Sequence, residues 1–172
     1  MAKQEKHIRD YTPNEFLNLL QTENEEITDT TLMILKGHIE VEYALNCYLE
    51  VVSKMPSDFF RERFSFTTKV KMLQFFGNLD RNILKELRLL NSLRNDIAHT
   101  LKYDETRLDL LIKEVEMKRK ADGRPVPPSD FNKTTLLRLS VAFLGGVLFQ
   151  SYYKIRDPKA WDEWRGSQAP DR

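Results

Sequence analysis

The sequence predicts an all-α protein, and three observations carry that expectation. Apolar residues recur at helical spacing in successive segments, the segments open on helix-capping residues and close on glycine, proline or basic runs, and no stretch alternates as a strand would. A length of 172 residues suits one domain with one core, residues 1–157, followed by a C-terminal tail, 158–172.

Thr12-Pro13 predicts a short first helix to about Leu20, with threonine as cap and proline in the first turn. An acidic loop, Glu23 to Glu26, follows. Thr28 or Asp29 then caps a long helix to about Lys54, closed by Pro56. Leu32, Leu35, Ile39 and Tyr43 form one apolar ridge of it, and Ile34, Val41, Leu45, Tyr48 and Val52 another, so this helix is expected at the centre of the fold. Phe59 to Phe66 interleaves aromatic residues with Arg61 and Arg63. Such aromatics can stack on splayed RNA bases, although as a class they more often anchor a loop in the core. A third helix from Thr67 to about Phe76 ends at Gly77-Asn78.

The fourth helix, from Leu79 or Asp80 to about Leu101, is where the chain points to chemistry. Ile83, Leu87, Leu90, Ile97 and Leu101 form an apolar stripe, and Arg94 occupies the middle of it. Burying an unpaired guanidinium costs several kcal/mol, so Arg94 is expected to face an acidic residue, a cleft or a second subunit. Glu42, beside the first ridge of the second helix, is the candidate partner. A polar stripe runs alongside: Arg88, Asn91, Asn95, His99 and Lys102 lie on neighbouring ridges of one face that can contact phosphate. The plain alternative for His99 is that it complements the dipole at the helix C-terminus.

Asp104 or Thr106 opens a fifth helix, buried through Leu108, Leu111, Ile112 and Val115 and ended by Lys118-Arg119-Lys120. Ala121 to Lys133 is rich in glycine and proline, and Pro125, Pro127 and Pro128 mark an irregular loop, either a flap over a site or a long crossover. The last helix, Thr134 to Ile155, is stopped by Asp157-Pro158. Its apolar run from Leu139 to Phe149 is shorter than the roughly 20 residues that cross a bilayer, and fits a central bundle helix or a dimer interface. Gly145-Gly146 weakens this helix while admitting close approach of a neighbour. In the tail, Trp161 and Trp164 are expected to dock on the bundle or on a second subunit.

Composition narrows the function. Lysine plus arginine total 27 against 26 acidic residues, so there is no global attraction for nucleic acid and any basic site must be local. The single Cys47 excludes an internal disulfide and reads as a packing residue. His7, His38 and His99 have no paired cysteine or histidine at ligand spacing, so neither a metal nor a cofactor is expected. P-loop, nucleophile-elbow and dinucleotide-binding glycine motifs are all missing from the chain. Met-Ala-Lys-Gln-Glu-Lys at the N-terminus lacks an apolar core, which argues against a secretory signal and for a cytoplasmic protein with no membrane partner.

Leu93-Arg94-Asn95 followed by Ala98-His99 resembles the R-x(4-6)-H signature of the HEPN superfamily, in which a polar residue commonly follows the arginine, as Asn95 does here. Phe66 to Leu73 resembles the helix before that motif in the mannitol-repressor-like branch, and Leu35 to Glu42 resembles that branch's long second helix. The likeness spans roughly Asp29 to Leu111, and the Arg-Asn…His motif is its specific part. It implies an up-and-down four-helix bundle with additional N- and C-terminal helices, paired so that two motifs meet across a symmetry axis. A homodimer also answers a difficulty in the sequence itself, since five steps along a helix turn Arg94 and His99 about 140° apart. One toxin branch carries a tyrosine two positions after the histidine; here that position is Leu101, and the nearest tyrosine is Tyr103.

Two functions follow as expectations. The first is a metal-independent endoribonuclease, with a toxin, phage-defence or RNA-processing role, acting on single-stranded or loop RNA. The 2′-hydroxyl attacks the phosphate, Arg94 holds phosphate oxygens, His99 serves as base or acid, and Asn95 orients the imidazole or binds phosphate. Arg88, Asn91, Lys102 and Glu42 would support the RNA site. The second is a non-catalytic regulatory or protein-binding dimer, with an antitoxin or a regulatory protein as partner, because near-neutral charge and the lack of a helix-turn-helix signature argue against direct DNA binding.

Overall fold

The computed structural model describes residues 11–56, 59–60, 64–76, 79–128 and 130–167. His7, Arg61, Arg63, the Gly77-Asn78 stop and the end of the tail after Ser167 lie outside the described residues. Among those described there are seven helices and no strand: α1 (Pro13–Asn24), α2 (Thr30–Ser53), α3 (Phe66–Phe76), α4 (Arg81–Thr100), α5 (Glu105–Ala121), α6 (Lys133–Arg156) and α7 (Pro158–Ser167). The all-α bundle expected from the sequence is the fold.

Local chemistry explains the boundaries. At α1 the Thr12 side chain accepts from the Glu15 amide while Glu15 reaches back to the Thr12 amide, a reciprocal capping box. Asp29, Asp80, Asp104 and Asn132 cap α2, α4, α5 and α6 through side-chain oxygens that accept first-turn amides. α1 runs on into the expected acidic loop as far as Asn24. That residue is 1% exposed, and its amide donates to the Leu20 carbonyl and to Glu40 Oε2, at 2.7 and 2.8 Å, which holds the last turn against α2. Asp157-Pro158 ends α6 and also begins α7: Asp157 Oδ1 accepts from the Ala160 amide at 3.0 Å, and proline suits a first helical position.

Four helices form a ring, with α2 beside α4, α4 beside α5, α5 beside α6 and α6 beside α2. Their directions follow from side-chain pairs. Tyr103, just past α4, bonds to Thr30 at the start of α2, and Lys85 of α4 pairs with Glu114 of α5 at 2.8 Å while Asp96 pairs with Arg107 at 2.7 Å. Both contacts of α4 are therefore antiparallel. The proline-rich segment 122–132 is a crossover that returns the chain along the bundle. Thr134 of α6 accordingly meets Thr30 of α2 at 2.7 Å, and Lys133 meets Glu105 and Asp109 of α5, so α6 runs in the direction of its two neighbours and the ring departs from the up-and-down order expected, because the long crossover lets the chain return before α6 begins. Arg119 pins the start of the crossover by donating to the Pro125 carbonyl, and Arg124 lies over the Phe143 ring.

The most extensive helix contact is α2 on α6. Gly37 permits it: a Cβ there would lie 2.6 Å from Val141 Cγ2, inside van der Waals contact. At Gly145-Gly146 the close neighbours are side chains of α1, with Leu17 and Leu20 seated where Cβ atoms would stand. Phe16 completes that contact by stacking on Phe149, centroids 4.1 Å apart and planes at 8°. By length and apolar content α6 would suffice to cross a bilayer, but it is mostly buried and packs against α1, α2, α5 and α7 as a core helix does. On α7, Trp161 and Trp164 are half-buried with ring centroids 4.8 Å apart, and Trp161 shares a cavity wall with Val147 and Lys154 of α6.

The two ridges on α2 are unequally covered. Ile34, Val41, Leu45 and Tyr48 are buried, whereas in the other ridge Leu35 and Tyr43 are half-buried against the core and Leu32 is 51% and Ile39 67% exposed.

Glu86 on α4 is buried among the apolar residues, and neither carboxylate oxygen has a hydrogen-bond partner. Burial pushes its pKa up from 4.5 to about 7, with the nearby carboxylates of Glu114 and Asp80 adding to the rise and Lys118 and Lys85 opposing it. The folded chain therefore holds this proton more tightly than the unfolded chain. Stability falls as pH rises from the ordinary carboxylate range through about 7, by about 3 kcal/mol in all. Chemical denaturation of wild type and Glu86→Gln at pH 5 and pH 8 checks this: the variant should match wild type at pH 5 and exceed it at pH 8. A second test concerns the α2–α6 seam. Gly37→Ala should lower stability by about 1–2 kcal/mol despite alanine's better helix propensity, and Gly37→Ala combined with Val141→Ala should show favourable coupling in a double-mutant cycle.

Candidate functional site

The buried face of α4 is made by Ile83, Leu84, Glu86, Leu87, Leu90, Leu93 and Ile97. Leu93 takes the core position beside Ile97 that the stripe left to Arg94, and the stripe stops there. Leu101 is 85% exposed and sits past the helix end with φ 57°, a left-handed conformation that costs a residue with a Cβ about 1 kcal/mol. Its amide caps the helix by donating to the Ile97 carbonyl at 2.9 Å.

Arg94 is exposed, at the edge of a cleft of about 290 Å³ between α2, the start of α3 and α4. Of the three surroundings expected for it, an acidic residue, a cleft or a second subunit, a cleft is what it borders within one chain, and it borders it from an exposed position. From α2 it is lined by His38 and Glu42, from the segment leading into α3 by Phe64, from the first turn of α3 by Thr67, and from α4 by Asn91, Arg94 and Asn95. Arg94 Nη1 donates to Asn95 Oδ1 at 3.4 Å, and no carboxylate among the described residues forms an ion pair with the guanidinium. Glu42 shares the cleft but is not that partner. Its Oε1 lies 2.5 Å from Nζ of Lys69, whose side chain is 1% exposed, and a buried ammonium claims the carboxylate more strongly than an exposed guanidinium.

His38 is the unforeseen member of this group. Its Nε2 lies 3.1 Å from Asn91 Oδ1, while Asn91 Nδ2 donates to Thr67 Oγ1 at 3.3 Å. Its Nδ1 lies 4.0 Å from Glu42 Oε2, and the ring rests against Phe66 with centroids 4.4 Å apart. Burial holds its pKa below the ordinary 6.5. The positive charges of Arg94 and Lys69 act in the same direction, and the Asn91 hydrogen bond and Glu42 act against it.

The structure thus brings together Arg94, Asn95, Asn91 and Glu42 of the residues singled out by sequence, and leaves His99 and Arg88 on α4, and Lys102 just past its end, exposed outside the cleft. His38 and Lys69 complete the cluster. Both left a trace in the sequence: His38 stands four residues before Glu42 on one helix, and Lys69 falls at helical spacing between the apolar Phe66 and Leu73, where a lysine requires a carboxylate.

Comparison of the chain with protein-family models, with curated proteins and with solved structures finds no match.

The buried pair gives a test of the cluster's framework. Glu42→Gln leaves Lys69 buried without its carboxylate and should cost about 2–3 kcal/mol in urea denaturation, and Glu42→Gln with Lys69→Met should recover most of that loss. A recovery of nothing would remove the pair from the account of how α3 is held to α2.

Proposed function

We propose that the chain is a metal-independent endoribonuclease of the HEPN type that works as a homodimer. The observation that carries the reading is the state of Arg94 and His99: both are exposed on α4, and the guanidinium has no carboxylate partner among the described residues. With no acid among the described residues to hold it, the guanidinium is available to a phosphate. Here it borders a polar cleft with two asparagine amides beside it.

RNA brings its own nucleophile. Attack of the 2′-oxygen on phosphorus displaces the 5′-oxygen and leaves a 2′,3′-cyclic phosphate; one group removes the 2′-hydroxyl proton and another protonates the leaving oxygen. The Arg94 fork stabilises charge on the phosphate oxygens as it builds. His99 carries a proton in one of the transfer steps, and Asn95, one turn before it, serves the phosphate or the ring. Within one chain His99 lies outside the Arg94 cleft, so a two-fold pairing that sets Arg94 of one copy against His99 of the other completes the site. The exposed Leu101 beside His99 supplies apolar surface for that contact.

A second reading, a regulatory dimer that binds a protein such as an antitoxin, is favoured by the open apolar strip on α2. Ile39 there borders a cavity of about 400 Å³ lined with Phe16, Leu20 and Tyr43.

Cleavage of a labelled structured RNA and its DNA counterpart in excess EDTA separates the two. The nuclease cuts RNA alone, and Arg94→Ala and His99→Ala each lower the rate by about 10²-fold or more. Mixing the two inactive variants should restore about a quarter of wild-type activity, since half of the dimers are then mixed and each carries one complete site of two. No cleavage by any form would leave the regulatory reading.

A further inference from the structure

The cleft beside Arg94 holds a histidine that the proposed reaction does not use. Asn91 gives its amide hydrogens toward Thr67, so its Oδ1 can only accept, and the atom facing it is His38 Nε2. Nε2 therefore keeps its hydrogen whatever the charge of the ring. The atom left to gain or lose a proton is Nδ1, and the group opposite it is Glu42 Oε2 at 4.0 Å. The other Glu42 oxygen is already bound by Lys69.

Charges facing His38 come from every helix around it: Glu42 on its own α2, Lys69 on α3 and Arg94 on α4, with the Phe66 ring against one side. Two cations and one anion leave the cluster with one excess positive charge. A proton on Nδ1 would raise the excess to two in a partly desolvated cleft. Burial is the larger cause that disfavours that proton and the two cations add to it; the excess charge is the part that an anion entering the cleft would cancel.

We infer that the cleft is an oxyanion-binding site in which His38 becomes protonated as the anion binds: a phosphodiester held by Arg94 and Asn95 offsets the cations beside the ring, and the imidazolium so formed is held between Asn91 and Glu42. The inference rests on the phosphate-binding role given to Arg94 in the proposed function, and it adds a positioning residue to that role. The proton comes from solvent and is taken up at Nδ1; no bond to the phosphate forms or breaks. By linkage the phosphodiester binds more tightly as pH falls through the His38 titration, so that mildly acidic conditions favour the loaded site.

The test follows the three imidazole titrations of the full chain by NMR, with and without a 2′-O-methylated diuridine monophosphate. This probe cannot be cleaved and keeps a single charge across the pH range. With the probe bound, the His38 midpoint should rise by about one pH unit, and the probe should bind about tenfold more tightly below the free midpoint than above the bound one. Arg94→Gln should abolish the rise, and His99→Ala should retain it. Binding that leaves the His38 midpoint in place, a rise that survives Arg94→Gln, or no binding to wild type overturns the inference. The cleavage assay stands apart from this result. Cutting that needs Arg94 and His99 beside an unresponsive His38 keeps the nuclease and removes the site, whereas a responsive His38 without cutting keeps the site and removes the nuclease.

Discussion

The contact of α6 with α2 is the constraint on which the rest of the bundle depends. Gly37 lets Val141 sit where a side chain would otherwise stand, and two long helices lie together through their small and apolar faces. α2 then has one side against α6 and meets α1 through the Asn24–Glu40 bond, and α3 and α4 share what remains. They do not cover it fully. Leu32 and Ile39 stay open, and a cleft is left where the start of α3 approaches the middle of α4.

Within that cleft the fold solves an electrostatic problem at Lys69. A lysine on the buried face of α3 must meet a carboxylate, and Glu42 is the carboxylate α2 offers. This ties α3 to α2 at the level of His38 and occupies the acid that Arg94 would otherwise have taken. The exposed arginine is left without that acid, while the histidine beside it is desolvated by its own burial, with the Phe66 ring against it. Glu86 on α4 shows the opposite case, a buried carboxylate with no hydrogen-bond partner, which the protein accommodates by protonation near neutral pH.

Much of the architecture was legible along the chain because helix boundaries are set by neighbours in sequence. Asp29, Asp80 and Asp104 cap where their positions predict, and the buried face of α5 is the one its spacing gives. Failures occurred where a distant residue intervened. Asn24 extends α1 through a bond to Glu40, sixteen residues away, whereas α7 is the additional C-terminal helix already expected, with Trp161 against α6. At the site, helical periodicity placed Arg94, Asn91 and Asn95 on one helix but could not choose among the partners on other helices. It paired Arg94 with Glu42 and passed over His38.

What the sequence by itself determined, then, was the set of helices, most of their caps, and the buried face of α5, because these depend on residues within a turn or two of one another. What only the tertiary structure decided was which faces meet: that Glu42 serves Lys69, that His38 rather than His99 shares the cleft with Arg94, and that α6 runs alongside α2. Those outcomes turn on close approach and on competition for a single carboxylate between groups far apart in the chain. Helical spacing carries no information about either.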